Sequence, residues 1–283
     1  MKKILLFLSV IALTWTACTP DDNTGGGGNN GPVLTTNSGI GFAKDGDTLR
    51  LLPKDTFRLS ISGVKGTTSL KHISIFENGA NVPVARINLD GTAAAANPSL
   101  LFNEEKDGLS NYIISIKTQD TPTVATYKVV LTDEGGLSDE VSVYVITKVG
   151  IRSSDPVILY NYSGPNPGGL DLINSKQVPS ASASAHIRDF GNISGSWGKR
   201  YFQQNGTQIR VPAAGFDLTK LKFSDEISTA YNAGTDTPNG DIAFNVNTVF
   251  LAKNGNSYFV CKVLRVFETA SDNLDYSEIV IYR

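Results

Sequence analysis

The chain has 283 residues, of which 18% are charged and 27 are glycine, and its formal net charge is −2. So weak and negative a charge excludes a nucleic-acid binder, which needs a basic face to neutralise phosphates. Few charges and many glycines favour strands and turns over helices.

The first elements are an address. Lys2-Lys3 is followed by the apolar run Ile4 to Leu13, interrupted only by Ser9. That run is too short for a mature bilayer-spanning helix and fits the h-region of a secretory signal over residues 1–17. Cys18 follows Ala17, where a bacterial lipoprotein signal places the residue to be lipidated, although Trp15 stands where such signals carry a smaller or aliphatic residue. An ordinary secretory signal cut nearby is the alternative. Residues 18–32, with Asp21-Asp22 and the run Gly25 to Gly28, read as a flexible tether. The acidic pair after the cysteine resembles the surface-export signal of lipoproteins in Bacteroidetes-type bacteria. The tetraglycine is no phosphate loop, because no Lys-Ser/Thr follows it and no strand precedes it.

Residues 33–149 read as one all-β domain. Asx-Gly pairs at Asp45-Gly46, Asn78-Gly79, Asp90-Gly91 and Asp107-Gly108 mark turns, since such pairs supply the positive φ of tight hairpins. Thr56 to Ser62 alternates, with Phe57, Leu59 and Ile61 on one face. Tyr112 to Ile116, Tyr127 to Leu131 and Val141 to Val145 are further strands, the last two joined by Asp133-Glu134-Gly135-Gly136. This ending resembles the last two strands of bacterial immunoglobulin-like domains, which implies a β-sandwich and carries no function with it. Asp47-Thr48-Leu49 resembles the short O-glycosylation sequence of exported proteins in these bacteria.

Residues 150–156 read as a linker, with Ser153-Ser154-Asp155-Pro156 as its hinge. The second β-rich domain, 157–283, opens with the strand Val157 to Tyr162. Ser182 to Arg188 alternates, placing His186 and Arg188 on a shared polar face. One short helix is predicted near Ser224, with Ser224 as cap, Asp225 and Glu226 in the first turn, Ile227 and Tyr231 four apart and Gly234 as stop. Further Asx-Gly turns fall at Asn205-Gly206, Asn239-Gly240 and Asn254-Gly255. Two long strands, Ser257–Phe267 and Tyr276–Tyr282, close the chain. Segments such as Gly169 to Leu172, His186 to Asp189, Asn205 to Arg210 and Val249 to Lys253 resemble the C-terminal β-domain of Bacteroidetes outer-membrane lipoproteins. Some relatives of that type scavenge haem and others accompany glycan uptake.

Catalytic material is sparse. The only histidines, His72 and His186, fall in different predicted domains, and no nucleophile elbow is present. Two distant histidines cannot build a zinc site. Asp45, Asp47, Asp133 and Glu134 read as turn carboxylates rather than a calcium loop, and Glu104-Glu105 as solvated acids. Cys261 lies in an apolar strand and reads as a buried structural thiol. Exposed aromatics on a rigid sheet can stack on a sugar ring. The candidates are Trp197, Tyr201, Tyr160 and Tyr162, against the alternative that Trp197 plugs the core.

The expectation is therefore a mainly β, two-domain protein, not an enzyme and without cofactor or metal. It would be lipid-anchored at the outer membrane through Cys18 and face the cell exterior. It would bind a glycan or partner protein, with an outer-membrane transporter as a partner, in nutrient uptake. The alternative is a haem-binding lipoprotein using His186.

Overall fold

In the computed structural model, residues 30–269 and 272–283 are described. The signal, Cys18 and most of the tether lie outside them. The chain is mainly β, with one α-helix among the described residues.

The first half contains β1 (Val33–Thr36), β2 (Thr48–Leu51), β3 (Thr56–Val64), β4 (Leu70–Glu77), β5 (Ala80–Asn81), β6 (Ile87–Leu89), β7 (Thr92–Ala93), β8 (Ser99–Leu100), β9 (Gly108–Lys117), β10 (Val124–Asp133) and β11 (Ser138–Thr147). They form a β-sandwich. One sheet runs β1-β3-β9-β6-β7, and the other runs β2-β11-β10-β4-β5 with β8 added to β4. All neighbours are antiparallel except β2 and β11. Alternation explains the core: Phe57, Leu59 and Ile61 of β3 are buried in one cluster with Tyr127, Val129 and Leu131 of β10. At Asn78-Gly79 and Asp90-Gly91 both residues adopt positive φ, as the tight turns β4–β5 and β6–β7 require. Asp107-Gly108 departs from expectation. Gly108 is already the first residue of β9, and the chain enters through a 3-10 turn at Asn103–Lys106.

The second half contains β12 (Val157–Tyr160), β13 (Gly169–Asp171), β14 (Lys176–Val178), β15 (Ile187–Asp189), β16 (Asn192–Ile193), β17 (Ser196–Trp197), β18 (Arg200–Gln203), β19 (Gln208–Val211), α1 (Ser224–Ala233), β20 (Thr235–Asp236), β21 (Asp241–Ala243), β22 (Val249–Asn254), β23 (Ser257–Phe267) and β24 (Tyr276–Tyr282). The long sheet runs β12-β24-β23-β22-β19-β20, the short one β14-β13-β15-β18-β21, and β16–β17 is a hairpin.

Continuous apolar runs mark the strands covered on both sides. In Val249 to Ala252 and Phe259 to Cys261, Phe250, Ala252, Phe259 and Cys261 join the core shared with Leu170, Ile187 and Tyr201 of the short sheet. Leu251 and Val260 instead pack with Ile227 and Tyr231 of α1. The helix is thus a third layer over one end of the long sheet. Its N-cap is Phe223 rather than Ser224, and Glu226 accepts the backbone N–H groups of Lys222 (2.6 Å) and Phe223 (3.0 Å).

Two sequence readings change here. Residues 182–186 are turn, and only Ile187–Asp189 is strand. His186 is therefore buried instead of sharing a polar face with Arg188. Residues 150–154 are not free either. Gly150 bridges Phe223, Ser153 bridges Tyr282, and Arg152 and Arg283 exchange backbone bonds of 2.9 Å in both directions.

Candidate functional site

The four predicted binding aromatics separate into three environments. Tyr201 points inward from β18, stacks on Phe244 at 3.9 Å and 13°, and donates its hydroxyl to Ser277 Oγ at 2.6 Å. Burial holds its phenol well above the usual range. Trp197 is 8% exposed. Its ring meets Phe244 edge-on at 5.5 Å, and its Nε1 donates to Asp189 Oδ2 at 2.9 Å. Both rings fill the space between the sheets, so neither offers a face to a ligand. For these two residues the core alternative replaces the stacking expectation.

Tyr160 and Tyr162 do not share a strand face, because β12 ends at Tyr160 and Asn161 turns inward. Asn161 Nδ2 donates to Asp275 Oδ2 and Asn192 Oδ1, both at 2.9 Å, and its Oδ1 accepts from Ser163 N–H at 3.0 Å. This buried amide sends the two tyrosines to different surfaces.

Tyr160 joins a row across the long sheet, in register with Tyr276 and then Phe267. Tyr276 lies 5.7 Å from Tyr160 and stacks on Phe267 at 5.0 Å and 26°. Phe267 is 43% exposed, and Ile158 and Leu264 are exposed nearby. The row lies on the α1-bearing face of the sheet, at the end of the strands away from the helix.

Tyr162 instead lies over the outer face of the short sheet and is 46% exposed. A Cβ on Gly168 would come within 3.0 Å of Tyr162 Cα, so glycine permits this close seating. In β15 Ile187 and Asp189 point inward and Arg188 outward, opposite Phe202 of β18. The Arg188 guanidinium carbon sits 4.7 Å from the Tyr162 ring centre and 5.2 Å from that of Phe202. Phe190, 37% exposed, meets Phe202 edge-on at 6.5 Å. With its amide turned to satisfy both neighbours, Gln204 accepts from Arg188 Nε at 3.2 Å and donates to Ser180 O at 3.0 Å. Cation–π contacts of this kind are worth about 0.5–1 kcal/mol each at exposed sites, enough to hold a long side chain in one pose. Tyr162 was legible as a candidate. Arg188, Phe202 and Phe190 were missed, because no sequence signal shows that β15 and β18 are neighbours.

Beneath this surface lies a buried polar floor. Asp189 accepts from Tyr162 N–H (3.1 Å) and Gly191 N–H (2.7 Å) through Oδ1, and from Trp197 through Oδ2. Burial drives its carboxyl up to about 6 against those bonds, with Asp275 adding repulsion. His186 Nδ1 accepts from Leu172 N–H at 3.1 Å and lies 3.5 Å from Asp171 Oδ1. Burial lowers the His186 pKa, with Asp171 opposing. A buried imidazole whose Nδ1 serves the backbone acts as a support for the Asp171 turn and presents no face for haem.

Other candidates resolve as structure. Asp45 accepts the strand N–H of Ser142 and Asp47 the turn N–H of Lys44, both at 2.7 Å. Glu105 accepts from Phe102 N–H at 3.1 Å. Cys261 is fully buried, which pushes its thiol well above the usual range. Among the described residues no three His, Cys, Asp or Glu side chains gather as metal ligands.

No protein-family model matches the chain, and no curated protein matches it. Among solved structures it is similar to a DUF4466 family protein from Parabacteroides merdae, at 7% identity over 90% of this chain and 99% of that one, with a TM-score of 0.40. It is also similar to fibronectin(III)-like modules of Clostridium thermocellum CbhA, at 8% identity over 41% of this chain and 97% of that one (TM-score 0.26). A third likeness is to a family 123 glycoside hydrolase from Clostridium perfringens, at 11% identity over 42% of this chain and 27% of that one (TM-score 0.29).

Proposed function

We propose that this chain is a lipid-anchored, surface-exposed binding protein rather than an enzyme, and that it holds a glycan for nutrient uptake at the outer membrane. Cys18 carries the anchor, residues 18–32 form the tether, and the first sandwich, immunoglobulin-like in kind, acts as a spacer. The observation that supports the reading is the surface formed by Tyr162, Arg188, Phe202 and Phe190, rigidly placed on the short sheet by the Asp189 and Asn161 networks. Flat aromatic area on a preorganised scaffold suits the C–H face of a pyranose, because little side-chain freedom is lost on binding. Among the described residues nothing converges as a catalytic acid–base pair on this surface.

A glycan array with the full mature chain tests the reading. Binding is expected, and Tyr162→Ala should weaken it at least tenfold while the fold is retained. An array on which no glycan binds would reject the glycan role. The anchor is tested separately: wild-type chain should incorporate labelled palmitate in cells, and Cys18→Ser should not.

A further inference from the structure

Resting on that reading, we infer that the site selects an acidic sugar, with Arg188 as the fork that takes a uronate carboxylate. Three observations carry this. First, Arg188 has no acidic partner. Among the described residues no carboxylate lies within ion-pair distance of it. Arg200, which also points out of the short sheet, is neutralised by Asp241 at 2.5 Å. Second, Arg188 is already posed. Tyr162 and Phe202 flank the guanidinium, and its Nε is held by Gln204. The two Nη groups form no hydrogen bond among the described residues. A guanidinium with Nε engaged and both Nη groups free presents two parallel N–H donors, the geometry that matches a carboxylate bidentately. Third, the charge sits among aromatic rings and not in a basic patch. A ligand that satisfies both must carry a flat apolar face and a carboxylate at its edge. A pyranose uronate has that shape. A long polyanion recognised by charge alone would need several clustered cations, whereas here Arg200 is paired with Asp241 and Lys176 lies two strands away in β14.

The experiment is calorimetric titration of the full mature chain with oligosaccharides of galacturonate, glucuronate and mannuronate, alongside their methyl esters and neutral counterparts. At least one free acid should bind at least tenfold more tightly than its ester, and the preference should shrink as salt rises. Arg188→Ala should abolish the preference. Arg188→Lys keeps the charge but loses the fork, and should retain only a minor part of it. Thermal melts of each variant separate lost recognition from lost folding, and Arg188→Lys serves as the test if Arg188→Ala does not fold. Equal affinity for acid and ester, with Tyr162→Ala still weakening both, would overturn the acidic-sugar inference and leave the glycan role standing. Binding of carboxylate-ended peptides with no sugar bound would overturn both.

Discussion

Both halves of the molecule bury carboxylates, and one from each, Glu77 and Asp189, are treated in opposite ways. Glu77, in the first sandwich, meets a cation. Arg86 Nη1 donates to its Oε2 at 2.8 Å and Nη2 to its Oε1 at 3.2 Å, while the Tyr127 hydroxyl donates to Oε1. Burial pushes the Glu77 carboxyl up, but the bonds from Arg86 and Tyr127 outweigh it and hold the group below the usual range. Asp189 meets only neutral N–H donors, and burial wins. A charge that closes a core between two plain sheets is kept charged by a partner. A charge that organises three loops under a surface is kept by backbone and indole donors, and it remains titratable near physiological pH.

The largest effect should follow from breaking the paired charge. Arg86→Ala leaves Glu77 and Tyr127 without their cation in a buried site, and removal of one partner of a buried pair costs about 3–5 kcal/mol. Urea denaturation of the full chain should show the loss. Replacing Arg86 and Glu77 together with Met and Leu should cost much less, because no uncompensated charge remains. If the double variant is as unstable as Arg86→Ala, the ion pair is not what distinguishes this core.

The pH response sharpens the contrast because its sign differs between these two carboxylates. Glu77 has a depressed pKa, so its contribution is present above the unfolded carboxylate value and is lost as pH falls through the folded one. Asp189 has a folded pKa of about 6 against an ordinary value of 3.8. Its contribution is therefore full below about 4 and lost as pH rises through about 6, by up to about 3 kcal/mol. Trp197, the only tryptophan outside residues 1–17, reports on the second half. Its fluorescence transition in urea should move to lower urea between pH 4 and pH 6 and then level off. Asp189→Asn should remove that slope. A transition that instead moves to higher urea over the same range would contradict the assignment.

The strands of both halves were readable where alternation or a long apolar run dominated. Thr56 to Ser62 lies within β3, and Ser257–Phe267 and Tyr276–Tyr282 coincide with β23 and β24. Short strands were not readable. β13, β15 and β21 have three residues each, too few for a period to emerge, and they are specified by partners far away in sequence. The same blindness affected the site. Tyr160 and Tyr162 look like neighbours on a strand until Asn161 is seen to bind Asp275, 114 residues away. Trp197 reads either as a surface anchor or as a core plug until Asp189 is seen to claim its indole. The alternation of Ser182 to Arg188 was overridden by a turn in which Asn205 Nδ2 donates to Ser182 O and Ala185 O. Local pattern described the scaffold, while long-range polar bonds decided which side chains reached the surface.

The smallest effect concerns the junction between the two regions. Lys148 pairs with Asp225 of α1, but Asp225 is half exposed, and surface pairs of this kind contribute about 0–1 kcal/mol. The backbone does more. Ile151 N–H donates to Lys222 O at 3.1 Å, and Ser224 N–H donates to Val149 O at 2.9 Å. These bonds tie the segment leaving the first sandwich to the segment that starts α1. Lys148→Ala should therefore lower stability by no more than about 1 kcal/mol and leave the tryptophan-reported transition nearly unmoved. Gly150→Val should have more consequence at the same place, since a Cβ there would meet Leu52 Cδ2 at 2.9 Å. It should separate the circular-dichroism transition of the whole chain from the Trp197 fluorescence transition. Coincident transitions in Gly150→Val, with separation in Lys148→Ala, would show that the ion pair and not the backbone couples the two halves.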